Sequence, residues 1–224
     1  MSSARVSRRG VLINVAALAM AASPAPGWAI AARDAAVEEF VQINGTHVLL
    51  ALGSLELDHL GRSRAFAAAM QDFADFQRIS AFVLGRYSAQ VRNDPLLLRD
   101  WTEAFRAFAL ANYEFRLDRF RGRTLRVTGS SNRIAGRDVV VTTELVGDAA
   151  TRTRRLEWRM LRGNSGWKAV DVGVVLNNGD LVWLAQQQQA QFLAELGANG
   201  GDIRALIARV RQSTAALAAQ TPAN

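Results

Sequence analysis

The sequence contains no cysteine, a single lysine and only two histidines among its 224 residues. Without cysteine the chain forms no disulfide, no thiolate metal site and no lipid-modified cysteine after a cleaved leader. The histidines, His47 and His59, lie twelve positions apart, and neither has a second histidine one helical turn away. We therefore predict that the protein binds no metal and that its stability depends on an apolar core alone.

Motifs that carry catalysis are also missing. The segment Gly163-Asn164-Ser165-Gly166 lacks the Gly-x-Ser-x-Gly spacing of a nucleophile elbow and is typical of a hairpin turn. No glycine-rich phosphate loop follows a predicted strand. The acidic pairs Glu38-Glu39 and Asp72/Asp75 have the spacing of solvated helix surfaces. We predict no catalytic residues and no cofactor.

Long apolar runs are absent except for one near the N-terminus. Ser7-Arg8-Arg9-Gly10 is a twin-arginine pattern, residues 11–22 are apolar, and Ala29-Ile30-Ala31 is a small-x-small cleavage pattern. The apolar run is shorter than the roughly 20 residues that a spanning helix needs, which disfavours the alternative of a retained membrane anchor. We predict that residues 1–31 are a twin-arginine-type signal peptide, cleaved near Ala31, and that the mature protein is periplasmic.

The charge balance narrows the range of partners. The net charge is +7, and residues 1–31 contain Arg5, Arg8 and Arg9 but no acidic residue, so the mature chain carries +4. No basic cluster alternates with stacking aromatics, which argues against nucleic acid as a partner. A small positive excess is compatible with contact to anionic lipid head groups.

The hydrophobic period divides residues 32–217, which we predict to be a single domain, into three blocks, with 218–224 as a frayed tail. The period is helical at first, changes to two at Gly122, and becomes helical again after Asn178. The first predicted helix ends near Gly53, and the second is long and carries an apolar stripe from Phe66 to Tyr87. Three further helices are predicted at 95–120, 181–196 and 203–217. The predicted strands are 124–128, 139–145, 156–160 and 167–176. This order predicts an α+β fold with N-terminal helices, a four-stranded antiparallel sheet and C-terminal helices.

Aromatic residues are numerous on the segments that would face each other across the helix–sheet interface. They are Phe73, Phe76, Phe82, Trp101, Phe105, Phe108, Trp158 and Trp167. Two interpretations remain open: a filled core, or an interior that is partly an apolar ligand pocket with few polar groups at its mouth.

Several short motifs, in a consistent order, resemble one known family. They are Leu84-Gly85-Arg86-Tyr87, the 93–120 helix with its Phe-x-x-Phe and Tyr113-x-x-x-Leu117-x-x-Phe120, Arg159-Met160-Leu161, Gly166-Trp167-Lys168-Ala169-Val170-Asp171-Val172, Gln191-Phe192 and Gly200-Gly201-Asp202-Ile203-x-x-Leu206-Ile207-x-x-Val210. Over residues 36–212 the chain resembles the MlaC, or toluene-tolerance, family of periplasmic phospholipid carriers, with its hopanoid-associated HpnM branch.

The resemblance implies that the sheet is curved and that helices and sheet enclose an apolar cavity for acyl chains. It also implies three partners: a phospholipid or related membrane lipid, an inner-membrane ABC transporter with an MCE-type substrate-binding protein, and an outer-membrane lipoprotein complex. The expected lining residues are Phe76, Ile79, Phe82, Val83, Trp101, Phe105, Phe108, Val140, Leu156, Trp158, Met160, Val172 and Phe192.

The chain departs from the family pattern in two segments, which bear on partner docking and on the identity of the lipid. Residues 173–179 replace an acidic-Gly-Val-Ser-Leu segment, and 187–192 lack the arginine of a Tyr-Arg-Ser-Gln/Glu-Phe helix start.

Two functions other than a carrier stay open at the level of the sequence. One is a hydrolase or isomerase on a cone-shaped α+β scaffold, which would need polar groups where Leu156, Trp158 and Met160 stand. The other is an envelope adaptor protein with a filled core.

The export prediction can be tested by changing the two arginines together. Replacing Arg8 and Arg9 by lysine keeps the charge but removes the twin-arginine pattern. We expect the uncleaved precursor to accumulate in the cytoplasm, measured by cell fractionation and immunoblotting. Unchanged export of this variant would reject the twin-arginine route, although not export itself.

Overall fold

The computed structural model of the chain describes residues 33–117, 122–147 and 153–220. The predicted signal peptide, the predicted helix end near Phe120 and residues 221–224 of the predicted tail lie outside the described residues. The helices are α1 (Ala35–Gly53), α2 (His59–Phe73), α3 (Phe76–Val83), a 3₁₀ turn (Gly85–Tyr87), α4 (Ser88–Arg92), α5 (Pro95–Leu117), α6 (Leu184–Ala198) and α7 (Ile203–Gln220). The strands are β1 (Thr124–Ile134), β2 (Asp138–Val146), β3 (Arg154–Gly163), β4 (Gly166–Val175) and β5 (Leu181–Trp183).

The strands form one antiparallel meander in the order β1-β2-β3-β4-β5. Trp158 of β3 stands opposite Val141 of β2 and Val172 of β4, so these three side chains share one face. This face is apolar and covered by helices, whereas Arg159 and its neighbours occupy the other face. The α+β class predicted from the sequence is confirmed.

Helix α1 lies along the outer edge of β1. The side-chain amide of Gln42 donates to the carbonyl oxygen of Leu125 at 2.9 Å and accepts from the Val127 N–H at 3.0 Å. A free strand edge would present unpaired backbone groups to other chains. Gln42 pairs part of this edge and holds α1 in register with the sheet.

Aspartate side chains start most of the longer helices. Asp34, Asp58, Asp75, Asp94 and Asp202 each accept a hydrogen bond from a backbone N–H in the first turn of the helix that follows. The predicted helix starts at 95 and 203 are therefore confirmed. Helix α6 differs, because Trp183 stands at its cap position and makes no side-chain cap bond.

The structure corrects four of the predicted boundaries. The long second helix is broken after Phe73 into α2, α3 and the 3₁₀ turn, because Ala74 is extended and Asp75 caps a new helix. β1 continues beyond its predicted end at 128 to Ile134, with register shifts between Val127 and Gly129 and between Asn132 and Ile134. A fifth strand, β5, precedes α6, which was predicted to begin at 181, and α7 runs to Gln220, into the predicted tail.

An aromatic cluster joins α5 to α6. The ring of Phe192, which is fully buried, lies 5.6 Å from Trp101, 6.4 Å from Phe105 and 6.2 Å from Phe108 between centroids. The indole N–H of Trp101 donates to the Ser80 carbonyl oxygen at 2.9 Å, which satisfies its only donor. Packing of this cluster fixes α6 against α5.

Removing the central ring should therefore destabilise the fold. We expect Phe192→Ala to lower the free energy of unfolding by about 3–5 kcal/mol, because a large side chain is lost from a site that cannot collapse fully. Phe82→Ala is the matched control, since Phe82 is 38% exposed and should cost far less. Urea unfolding followed by tryptophan fluorescence measures both, and equal losses would contradict this account of the cluster.

Candidate ligand-binding cavity

A cavity lies between strands β3 and β4 and the helices that cover them. Its wall combines residues from α1, α2, α3, α5, β3, β4 and the start of α6. The lining residues are Val48, Met70, Phe73, Ala74, Phe76, Ile79, Tyr113, Leu156, Trp158, Ala169, Asp171, Val172, Val174 and Leu184.

The cavity is roomy and almost entirely apolar. Its volume is about 100 Å³, several times the roughly 10–15 Å³ that one water molecule requires. Apart from the indole of Trp158, only Asp171 and Tyr113 among its lining residues carry a polar side-chain group. Such an interior suits hydrocarbon, because each buried methylene contributes about 0.8 kcal/mol to binding.

Trp158 forms a large part of the sheet wall. Its ring lies 5.0 Å from that of Phe73, and its indole N–H donates to the buried hydroxyl of Thr143 at 2.9 Å. The N–H is thus satisfied within the sheet, and the ring presents only its apolar surface to the cavity.

The opposite wall is held by the break between α2 and α3. At this break Ala74 is extended and pairs with Ala169 of β4 in a single parallel bridge, and the Asp75 N–H donates to the Ala169 carbonyl oxygen at 3.0 Å. Lys168 donates to the carbonyl oxygens of Gln71 and Asp72 at the end of α2. Phe73 and Phe76 therefore flank an attachment of the backbone to the sheet.

Asp171, which stands opposite Arg159 in the sheet and is one of the residues that line the cavity, carries a buried carboxylate that takes the place of a cap for α6. Its Oδ1 accepts from the backbone N–H of Ala185 at 2.8 Å and from its neighbour Val172 at 2.8 Å. Burial raises the pKa of Asp171, and these hydrogen bonds, a bond from the Gln186 N–H and the attraction of Arg159 oppose the rise. The carboxylate thus ties β4 to the N-terminus of α6.

A second recess adjoins the cavity between α5 and α6. It shares Tyr113 and Leu184 with the cavity, so the two spaces have a common wall. Its remaining lining residues are Phe105, Phe108, Ala109, Asn112, Gln187, Gln188 and Gln191. The recess is therefore apolar at its base and carries amides around its rim.

Comparison with known proteins agrees with this architecture. The family model of the MlaC protein matches residues 49–212, which is most of the chain. The chain belongs to the MlaC family. No curated protein gives a significant match.

One solved structure similar to this MlaC-family chain is a phospholipid-binding protein from Ralstonia solanacearum in complex with a phospholipid. The two chains are 21% identical and superpose with a TM-score of 0.69 over 81% of this chain and 98% of the other. At this identity the likeness shows a common fold.

The structure distributes the predicted lining residues among several environments. Those on the cavity wall are Phe76, Ile79, Leu156, Trp158 and Val172. Phe105 and Phe108 line the adjoining recess. Val83, Trp101, Met160 and Phe192 are buried in the core and line neither space.

Two predicted lining residues lie elsewhere. Val140 stands opposite Arg159, on the sheet face away from the helices, because Val141 and not Val140 is the partner of Trp158. The strand alternation was therefore assigned one residue out of register. Phe82 lies at the surface, where its carbonyl oxygen accepts from the side chain of Gln189, because the buried face of α3 is formed by Phe76, Ile79 and Val83.

The prediction omitted several lining residues, and only some of them had a signal in the sequence. Val174 follows Val172 by two positions, so strand alternation places both on one face. Ala74 and Ala169 meet only through the helix break. Tyr113 and Leu184 are brought together by tertiary packing, for which no local pattern exists.

One serine, histidine and carboxylate lie together, but in an order unsuited to nucleophilic catalysis. The hydroxyl of Ser63 donates to Glu114 Oε1 at 2.5 Å, and His59 Nε2 lies 3.9 Å from the same oxygen. In a hydrolytic triad the histidine stands between the serine and the carboxylate. Here the carboxylate stands in the middle, so the cluster holds α2 to α5 rather than activating the serine.

The described residues contain neither a membrane-spanning helix nor a metal-binding cluster. Over 33–117, 122–147 and 153–220, no helix has both the length and the apolar character to cross a membrane. In the same ranges no group of three or more histidine, cysteine or acidic side chains has an arrangement that could hold a metal ion.

The raised pKa of Asp171 leads to a prediction about pH. The Asp171 carboxyl binds its proton more tightly in the folded state than in the unfolded chain. The free energy of unfolding therefore rises as pH falls from the raised pKa towards the ordinary pKa of an aspartate. In Asp171→Asn, which keeps the Oδ1 acceptor, we expect this gain to disappear. The difference in unfolding free energy between the wild type and the variant, measured in urea from neutral to mildly acidic pH, should change in that window.

A second variant, which removes the acceptor atoms of Asp171, separates the effect of its charge on stability from the effect of its hydrogen bonds. Asp171→Ala leaves the N–H groups of Ala185 and Val172 without this partner, and we expect it to cost about 1–3 kcal/mol at every pH. Equal behaviour of the asparagine and alanine variants would show that the hydrogen bonds to α6 contribute nothing.

Proposed function

We propose that this MlaC-family protein is a periplasmic lipid carrier that encloses the acyl chains of a phospholipid, or of a related membrane lipid, in the cavity. The lipid leaves one membrane, crosses the periplasm inside the protein and enters the other. The proposed partners are an inner-membrane ABC transporter with an MCE-type substrate-binding protein and an outer-membrane lipoprotein complex.

The observation that carries the proposal is the cavity itself. Its wall is made by apolar side chains from helices and sheet, and Trp158, its largest member, has its polar group satisfied inside the sheet. A filled core would leave no such space, because protein interiors are close-packed. The family membership and the phospholipid-bound structure from Ralstonia solanacearum support the same ligand class.

An enzyme is less well supported, since the described residues of the cavity wall include no histidine, lysine or arginine. Asp171 is the only carboxylate among the lining residues, and its Oδ1 is engaged by backbone N–H groups of the protein. General acid–base chemistry requires a group within reach of the reacting atoms and available to exchange a proton. A lipid-binding interior needs no such group.

The proposal is tested by filling the cavity from the sheet side. Val172 is half-buried and lines the cavity beside Trp158. We expect Val172→Trp to occupy space that acyl chains would use and to reduce lipid that copurifies with the protein several-fold, with little loss of stability. Solvent extraction and mass spectrometry measure the lipid, and thermal unfolding measures the stability.

Thr142→Trp is the matched control. Thr142 is half-buried and pairs with Glu157 on the outer face of the sheet, so the same large side chain should leave lipid content unchanged. In a filled core, Val172→Trp would instead strain the interior by about 1–3 kcal/mol. A large fall in melting temperature, together with a parent protein free of lipid, would favour the adaptor with a filled core.

A further inference from the structure

The recess between α5 and α6 differs from the cavity in its chemistry. Amides line its rim, namely Asn112, Gln187, Gln188 and Gln191, and among the described residues no acidic or basic side chain lines it. Each amide offers both hydrogen-bond donors and an acceptor. The recess therefore has hydrogen-bonding capacity without a fixed charge.

Part of this capacity is unused by the protein. Gln188 Nε2 donates to Gln191 Oε1 at 3.3 Å, which orients the two amides towards each other. Within the described residues, the side chain of Gln187, the carbonyl of the Gln188 amide and the NH₂ group of Gln191 make no hydrogen bond to the protein. Gln187 and Gln191 are exposed and Gln188 is half-buried, so a ligand in the recess can reach these groups.

The recess does not provide the usual groups for holding an anion. Phosphate is bound in proteins by arginine or lysine, or by free N–H groups at a helix N-terminus. The described part of the recess lining contains neither basic residue, and the N–H groups of Ala185 and Gln186 at the start of α6 already donate to Asp171. A charged phosphate would gain little from entering it.

The recess is placed to receive whatever part of a lipid follows its acyl chains. It meets the cavity at Tyr113 and Leu184, and its base is formed by Phe105 and Phe108 of the aromatic cluster. Resting on the proposed function, we infer that this recess is a subsite for an uncharged, hydroxyl-bearing part of the lipid head group, such as a polyol or a sugar. Hydroxyl groups match amides because each both donates and accepts.

The inference predicts a preference among lipids that share the same acyl chains. The purified protein is stripped of lipid and incubated with mixed vesicles that contain equal amounts of glycerol-, choline- and ethanolamine-headed phospholipids and a galactosyl diacylglycerol. Bound lipid is then extracted and quantified by mass spectrometry. We expect the glycerol- and galactose-headed lipids to be enriched over the choline- and ethanolamine-headed ones by about fivefold or more, as one additional hydrogen bond would provide.

Two variants connect the preference to the recess. The double variant Gln188→Leu, Gln191→Leu nearly keeps the size of both side chains but removes their hydrogen bonds, and we expect it to lose the enrichment while binding a similar total amount of lipid. Gln186→Leu is the matched control, because this exposed glutamine of the same helix lines neither space. Gln191→Leu alone, at an exposed position, should reduce the enrichment partly.

The outcomes separate this inference from the proposed function. Bound lipid without a head-group preference, a preference for the choline or ethanolamine head, or enrichment that survives in the double variant would each overturn the subsite while leaving the carrier intact. A parent protein that binds none of the four lipids would overturn both.

Discussion

The contact between the α2–α3 break and strand β4 holds the covering helices to the sheet beside the cavity. Ala74 and Asp75 attach to the Ala169 backbone of β4 through a bridge and one hydrogen bond of 3.0 Å. A continuous helix could not make this contact, because its backbone N–H groups are already bonded within the helix. The chain instead approaches the sheet at one point, and α2 and α3 diverge from it with Phe73 and Phe76 on either side. Lys168, the single lysine of the chain, binds the last carbonyl oxygens of α2 and strengthens the same attachment.

A second attachment, from Asp171 to the start of α6, holds another helix of the cavity wall against the sheet. The five aspartates that cap α1, α2, α3, α5 and α7 each belong to the segment directly before their own helix. Asp171 lies fourteen residues before Ala185, across β5, so its hydrogen bond fixes the position of α6 relative to the sheet as well as starting the helix. Because Leu184 lines both spaces, movement of this helix start would alter the cavity and the recess together.

Properties that depend on local periodicity could be predicted from the sequence. Properties that depend on where the helices attach to the sheet could not. The α+β class, the caps at Asp94 and Asp202 and the inward face of β3 follow from period and capping rules. The helix break carried one local signal, Asp75 directly before Phe76, which is the pattern of a helix start, but the apolar stripe continued through it. Val140 was assigned to the wrong face of β2 for another reason. Asp138 to Val141 are all buried, so the sequence of β2 shows no alternation there. Only the pairing of Val141 with Trp158 identifies the inner face.

Core and cavity residues are chemically alike, so the distribution of polar groups distinguishes them better than hydrophobicity does. On the cavity wall the indole N–H of Trp158 is bonded to Thr143, and the Oδ1 of Asp171 to backbone N–H groups, so these two polar groups, which could oppose hydrocarbon there, are engaged by the protein. In the adjoining recess the amides of Gln187, Gln188 and Gln191 retain hydrogen-bonding groups that the described residues do not use. An unsatisfied polar group costs most where water is excluded and least where water or a ligand can reach it. The arrangement therefore fits a ligand that is apolar along most of its length and polar at one end, and it favours a position for that end between α5 and α6.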